Sequence, residues 1–273
     1  MAKFILMGNS SRSQMFGAVI ITNNGNCIVI DGGVEADAEH LLELIQKEAG
    51  GQVNAWFFTH QHADHTGAFC KLFRSEEPVV VENIYHCFPS LSDLEQYGSK
   101  TITDNRIRKE MFRLFATRFE NACSTLKAGE TFCLDDVKVT ILRVYNPEIT
   151  ADFENNSSVV IRLDGEKSNV LILGDLGRIA GEETMKLCSY EQLHTEYVQL
   201  AHHGQDGVSM DFYEFIRPIN CIWTTPDWLW DNDWGEGFDT GPFKTVRTRQ
   251  FLEELGCTKE HLVIKDGTQY FEF

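Results

Sequence analysis

One short stretch of the chain concentrates side chains that could bind a metal ion. Three histidines and one aspartate lie within six residues, at His60, His62, Asp64 and His65. The whole chain has nine histidines, so chance does not explain this concentration. Imidazole nitrogens and carboxylate oxygens together suit zinc, iron or manganese. The spacing therefore predicts a metal site.

The neighbouring sequence indicates how these side chains would be positioned. Residues 53–58 form a short apolar run that is typical of a buried strand, and residues 67–73 are typical of the first turns of a helix. If the stretch between them is extended, its side-chain period of two directs His60, His62 and Asp64 to one side. His65, at the bend into the helix, can reach the same region from another direction.

Other predicted strands also end in polar residues. Asp31, Asp175 and the pair His202-His203 each come directly after an apolar run, and each is next to glycine or one residue from it. Strand ends at one edge of a sheet can meet at one point. We therefore expect these residues to join the histidine stretch in a single site.

The bulk composition limits the function. The 273 residues are enough for one large domain or two small ones. The net charge of −17 argues against a nucleic-acid partner and leaves a small-molecule substrate. The basic run 106–109 is interpreted as a solvated helix face.

No apolar stretch approaches the length of a membrane span, which needs about 20 residues. With eight cysteines, no C-x-x-C pair and no export signal, we expect reduced thiols, a cytoplasmic location and no membrane partner.

The order of the predicted elements indicates an architecture. Strands come in two batches with helices between them, a pattern typical of two sheets packed face to face with helices outside. Asn24-Gly25 predicts the turn of a first hairpin, and a second hairpin is expected at 262–273. Helices predicted at 90–96 and 104–125 interrupt this pattern. They could form a lid, a dimer element or plain structural helices, so an oligomer remains open.

Taken together, the motifs resemble those of the metallo-β-lactamase fold superfamily. Asp31, the H-x-H-x-D-H stretch at 60–65, Asp175 and His202-His203 carry the resemblance in this order. The stretches 155–163, 171–175 and 202–204 are also similar to a narrower group, the ComEC-type hydrolase domains of DNA-uptake proteins and their stand-alone relatives. This resemblance implies an α/β (α+β) fold, a four-layer αββα sandwich. It would be one domain over residues 1–273 with a helical insertion at about 89–126.

The resemblance also implies two divalent metal ions, taken as zinc with manganese or iron as alternatives. His60 and His62 would bind the first ion. Asp64 and His65 would bind the second, and Asp175 would bridge the two.

The remaining roles follow from the same resemblance. One of His202 and His203 would complete the second site, and the other would lie beside the substrate as a proton donor or oxyanion partner. Asp31 would orient a ligand histidine. The expected catalytic residues are therefore Asp64, His202, His203 and Asp31.

The chain departs from the family pattern at the first metal. Many members have a third histidine in the loop before the strand at 158–163, whereas this chain has Asn155-Asn156 there and no histidine between His86 and His194. Asn155 could offer a carbonyl oxygen, or a water could take the place. A site richer in oxygen favours manganese or iron, or makes the first ion labile. His86 is a distant candidate that we expect to be structural.

The expected reaction is hydrolysis by a metal-bound hydroxide. The narrower resemblance favours a phosphodiester, and the acidic charge favours a small substrate. A lactone, thioester or other acyl ester is the alternative within enzymes, and a ligand-binding protein with decayed catalysis is the alternative outside them. A loop rich in aromatic and acidic residues could read a cationic or sugar group, or could be a packed surface loop. It contains Trp223, Asp227, Trp228, Trp230, Asp231, Asp233, Trp234, Glu236, Phe238 and Asp239.

Overall fold

The structure is a computed structural model that describes residues 1–75, 78–256 and 258–273. Its strands, in chain order, are β1 (Lys3–Leu6), β2 (Gly17–Ile21), β3 (Cys27–Asp31), β4 (Gln52–Val53), β5 (Ala55–Phe57), β6 (Val80–Val81), β7 (Ile84–His86), β8 (Cys123–Thr125), β9 (Thr131–Leu134), β10 (Val137–Arg143), β11 (Val160–Asp164), β12 (Asn169–Ile172), β13 (Tyr197–Gln199), β14 (Asn220–Trp223), β15 (Glu260–Val263) and β16 (Gln269–Glu272). Its α-helices are α1 (Ala38–Ala49), α2 (Ala63–Phe73), α3 (Leu91–Tyr97), α4 (Ile102–Thr117), α5 (Phe153–Asn156), α6 (Arg178–Leu187), α7 (Tyr190–Leu193), α8 (Met210–Ile216), α9 (Asp227–Trp230) and α10 (Thr245–Glu254).

Most strands belong to two seven-stranded sheets. The first has the spatial order β16-β1-β2-β3-β5-β7-β8 and the second the order β15-β14-β13-β12-β11-β10-β9, while β4 and β6 form a separate pair. In each sheet, four neighbouring strands run parallel. They are β3, β5, β7 and β8 in the first sheet and β12 to β15 in the second. Parallel neighbours end at the same edge, which is where the predicted site residues follow.

Side-chain alternation in the second sheet explains the layers. Ile161 and Ile172 face a core that also contains residues of the first sheet. Val160 and Leu171, one position away, belong to a second core that includes apolar residues of α6, α8 and α10. The sheets therefore pack face to face with helices outside. The predicted mixed α/β fold, a four-layer αββα sandwich, is confirmed.

The two predicted hairpins have different outcomes. The first is present: β2 and β3 pair antiparallel around Gly25, whose φ of +86° suits the turn. The second prediction is wrong, because β15 pairs with β14 whereas β16 pairs with β1 in the other sheet. Phe271 on β16 stacks on Phe4 at 4.8 Å, so burial against the first sheet outweighs pairing with the neighbouring strand.

Two helix boundaries also differ from those predicted. α2 begins at Ala63 rather than at 67, so Asp64 lies in its first turn and not on an extended segment. The helix predicted over 104–125 ends at Thr117, and residues 123–125 form a strand that pairs with β7. The local spacing of apolar residues cannot reveal this pairing, because it depends on a strand that is distant in the sequence.

Two further expectations concern the whole chain. None of the helices in the described residues has the length and apolar character needed to cross a bilayer. The seven cysteines in the described residues are free thiols, and Cys257 lies outside those residues.

Candidate metal centre

Asp175 lies at the centre of the predicted site, in the turn that follows β12. Gly174 before it has φ +56°, and a methyl group there would lie 2.9 Å from Cβ of Thr59 and 3.0 Å from Oγ of Ser158. Gln199 holds this turn, because its Oε1 accepts hydrogen bonds from the amides of Leu173 and Gly174 at 2.9 and 2.7 Å. A glycine is therefore needed here to bring the carboxylate up against the histidine stretch.

His65 approaches Asp175 from the first turn of α2. Its Nε2 lies 3.1 Å from Oδ1 of Asp175, and its Nδ1 lies 2.7 Å from Oδ2 of Asp31. Thr59 donates to Asp31 from both its amide (2.8 Å) and its hydroxyl (2.6 Å). The side chains of these three residues, Asp31, Thr59 and His65, are fully buried. The ring of His65 therefore has one nitrogen fixed and the other directed at Asp175.

His203 approaches the same aspartate from the end of β13. Its Nε2 lies 3.2 Å from Oδ2 of Asp64 and 3.4 Å from Oδ2 of Asp175, and its Nδ1 lies 2.9 Å from the carbonyl oxygen of Thr224. His202 and His203 both have positive φ, at +50° and +56°. Such consecutive left-handed residues are uncommon, and here they direct the two rings differently. The structure places His203 in the cluster and leaves His202 half-buried at a neighbouring cavity.

A second group of ligand atoms shares Asp175. Nε2 of His60 lies 3.1 Å from Nδ1 of His62 and 3.7 Å from Oδ2 of Asp175. Two sets of side chains could thus each hold an ion, with ligand atoms within 4.8 Å of one another. They are His60, His62 and Asp175, and Asp64, His65, Asp175 and His203.

Unpaired buried atoms test whether metal ions fit these sets. Nε2 of His65, Oδ1 of Asp175 and Nε2 of His203 are buried, and none of them makes a well-aligned hydrogen bond in spite of the short distances between them. An unsatisfied buried polar atom costs about 1–3 kcal/mol, and cations coordinated by these atoms would remove that cost. Oδ1 of Asn155 is also buried and unpaired, while its Nδ2 donates to Asp152 at 2.9 Å. The residues present therefore fit divalent cations.

The charges of the cluster support one another. Burial by itself would raise the pKa of Asp175, but the rings of His203 and His65 hold that pKa well below its usual range. Burial by itself would lower the pKa of His203, but Asp175 and Asp64 raise it to about 9. The carboxylates are consequently ionised and available as ligands at neutral pH.

Glu154 lies beside His62 in the first ligand set, and no sequence pattern indicated it. It lies in α5, one residue before Asn155, and its Oε2 is 3.4 Å from Nε2 of His62. Arg108 on α4 contacts its other oxygen at 3.2 Å. The interpretation of 106–109 as a solvated face is therefore wrong for Arg108, which is buried against this carboxylate, although Arg106 and Lys109 are exposed. A lone glutamate has no motif that would have identified it.

An open cavity of about 360 Å³ adjoins the cluster. Its lining includes Gln14, His62, Asp104 and His202. Gln14 also donates to Oδ2 of Asp64 at 3.1 Å. His86 lies outside both ligand sets and packs its ring on Phe115 at 4.7 Å.

The loop of aromatic and acidic residues divides in two. Trp223 is buried, and the face of Trp230 is covered by the guanidinium of Arg249 at 4.1 Å. Trp228 instead borders a second cavity of about 270 Å³, whose lining includes Arg12, Asp231 and Asp233. The indole nitrogen of Trp228 donates to the carbonyl of Arg12 at 2.7 Å, and Trp234 and Phe243 pack beside it.

Comparison with known proteins bears on the fold and on the family. Residues 18–116 match the model of a family described as the metallo-beta-lactamase superfamily. No curated protein matches the chain.

Several solved structures are similar over their whole length. Unliganded yeast PDE1 has a TM-score of 0.57 at 12% identity, with 100% of each chain covered. Zn(2+)-bound PqqB from Methylobacterium extorquens has a TM-score of 0.55 at 12% identity, again with 100% of each chain covered. A diphosphatase from the PhnP family has a TM-score of 0.50 at 12% identity, covering 100% of this chain and 98% of its own. At these identities the likeness shows the fold alone. The match to the family model covers residues 18–116, and the similarity of fold to these solved structures extends over the whole chain.

Proposed function

We propose that the chain is a dinuclear metal-dependent hydrolase that cleaves a phosphodiester, or a related phosphoester, of a small substrate. The observation that carries this proposal is the position of Asp175 between two sets of ligand atoms beside an open cavity. Phosphodiesterase and diphosphatase neighbours with the same fold support the choice of bond. The ComEC-type similarity of residues 155–163 and 171–175 favours the same choice.

Each set of ligands has a place in this proposal. His60, His62 and Asp175 would hold one ion, with Asn155 as an added oxygen donor, and Asp64, His65, Asp175 and His203 would hold the other. When bound, two divalent ions would lower the pKa of a shared water and stabilise the negative oxygens of the transition state. The imidazole and carboxylate donors suit zinc, with manganese or iron as alternatives.

The other residues of the site would prepare this chemistry. Asp31 and the carbonyl of Thr224 fix the outer nitrogens of His65 and His203, which orients both rings before an ion binds. His202 borders the cavity without belonging to either ligand set. We propose that it lies beside the substrate as a proton donor or an oxyanion partner.

The cavity favours a substrate of low charge. Within the described part of the chain, its lining contains no lysine or arginine and includes Asp104. A phosphodiester has one negative charge, which the ions would balance, whereas a monoester would bring a second charge with no side-chain cation to meet it. We propose a small molecule whose cationic or sugar group reaches the cavity beside Trp228.

An acyl ester, thioester or lactone is the second candidate, favoured by the same lack of side-chain cations. Turnover of bis(p-nitrophenyl) phosphate and of p-nitrophenyl acetate, after reconstitution with manganese or zinc, separates the two. Preference for the phosphodiester supports the proposal, and preference for the acetate supports the second candidate. If the metal-loaded protein turns over neither, the enzyme proposal fails and a ligand-binding protein without catalysis takes its place.

A further inference from the structure

The two nitrogens of His62 face different partners. Its Nδ1 lies 3.1 Å from Nε2 of His60, on the side of the proposed first ion. Its Nε2 lies 3.4 Å from Oε2 of Glu154. An imidazole that binds a metal through one nitrogen commonly has the other directed at a carboxylate, which fixes the tautomer and the ring orientation. Glu154 occupies that second position.

Glu154 is itself held firmly by the helical segment 91–117. Its side chain is 4% exposed, and that of Arg108 is 2% exposed. The guanidinium of Arg108 contacts Oε1 of Glu154 at 3.2 Å and also donates to the carbonyls of Leu94 (3.1 Å) and Ser99 (3.2 Å). The amide of Ser99 donates to Oε2 of Glu154. A buried carboxylate with these partners stays ionised and has little freedom to move.

The same arrangement occurs on the other ligand set. Asp31 lies 2.7 Å from Nδ1 of His65, whose Nε2 is directed at Asp175. Each of the two carboxylates therefore stands behind one histidine, and the two histidines belong to different ligand sets. Asp31 comes from the first sheet, whereas Glu154 depends on contacts from α4 and from the turn before it.

We propose that Glu154, fixed by Arg108, is the positioning residue of His62, and that the helical segment 91–117 thereby sets the affinity of the first metal ion. This inference rests on the two-ion site of the proposed function, but it requires no turnover. It gives the helical insertion a function at the metal centre. It also explains how a first site without a third histidine could keep its ion.

The test is a Zn²⁺ titration of the full chain against a chromophoric chelator. The variant is Glu154→Gln, which keeps the size of the side chain and removes its charge. We expect one of the two ions to bind about 10- to 100-fold more weakly, while the other keeps its affinity. Glu110→Gln is the matched control: Glu110 lies on α4 like Arg108 and pairs with Arg74 and Arg106, but contacts no proposed ligand.

Two further variants keep the test decisive. Glu154→Asp keeps the charge for Arg108 but withdraws the carboxylate from His62, so it should weaken the same ion even if Glu154→Gln does not fold. Combining a Glu154 variant with Asp31→Asn should weaken both ions. Folded Glu154 variants that bind both ions with unchanged affinity would overturn the inference. So would a double variant that weakens only one ion when each single change already weakens one, because both carboxylates would then act on the same ion. Either result would leave the phosphodiesterase proposal standing, because that is judged by turnover.

Discussion

Asp31 lies 2.7 Å from Nδ1 of His65, and both side chains are fully buried. This contact predicts that Asp31→Asn weakens the binding of one metal ion by about 10- to 100-fold, because the ring loses the charge that orients it. Metal titration of the folded variant measures the effect. Asp37→Asn is a suitable control, since Asp37 is also buried and accepts from the amides of Ser10 and Val34, without touching a proposed ligand. Equal losses in the two variants would mean that Asp31 acts only on the fold.

Gly174 predicts a difference between two glycine substitutions. Gly25 and Gly174 both have positive φ, but a methyl group at Gly25 meets nothing within 4 Å, whereas one at Gly174 would collide with Thr59 and Ser158. Gly174→Ala should therefore lower the free energy of unfolding by about 1–3 kcal/mol more than Gly25→Ala. Urea denaturation of both variants gives the comparison. Equal destabilisation would show that the turn before Asp175 can move away at no cost.

His86 predicts a dependence of stability on pH. Burial lowers the pKa of His86 to about 4, whereas an unfolded histidine titrates near about 6.5. Between these values the unfolded chain binds a proton that the native chain does not, so this residue makes the protein less stable as the pH falls from 6.5 to 4.

His86→Phe removes that contribution and can keep the stacking on Phe115. Its free energy of unfolding, relative to the unchanged protein, should rise as the pH falls through this window. Comparing the two proteins cancels the titration of the metal-site histidines. A difference that stays constant with pH would contradict the neutral state of His86 in the folded protein.

The cavity beside Trp228 predicts selectivity for a cationic group. Trp228→Ala should raise KM about 2- to 30-fold for a choline phosphodiester, the range expected for a cation–π contact, and leave KM for a neutral diester unchanged. Trp230→Ala is the control, because Arg249 already covers the face of that ring. An equal rise for both substrates would indicate that Trp228 only supports the loop through its bond to Arg12.

Much of the fold and of the site could be predicted from the sequence, for a physical reason. The motif residues His60, His62, Asp64 and His65 are close in sequence, and Asp175 follows a predicted strand. Short-range sequence patterns are therefore enough to identify them as candidate ligands. The structure brings them together with His203, and the sandwich of two sheets is confirmed.

Other features depend on contacts between distant parts of the chain. Glu154 becomes significant only where α5 meets Arg108 of α4, and Gln199 only where its side chain caps the turn at Gly174. The terminal hairpin was wrongly predicted because β16 pairs with β1 at the edge of the first sheet, and β1 lies more than 260 residues away in the chain. The choice between His202 and His203 required the backbone angles of both residues.

The central claim is that Asp175 is shared by two metal ions that act together in hydrolysis. Its most direct test is the hydrolysis of bis(p-nitrophenyl) phosphate during stepwise addition of Zn²⁺ or Mn²⁺ to metal-free protein, with bound metal counted at each step. We predict binding of two ions per chain, with turnover rising as the second ion binds, and the loss of both effects in Asp175→Asn. Binding of a single ion per chain, or turnover that Asp175→Asn leaves unchanged, would contradict the claim.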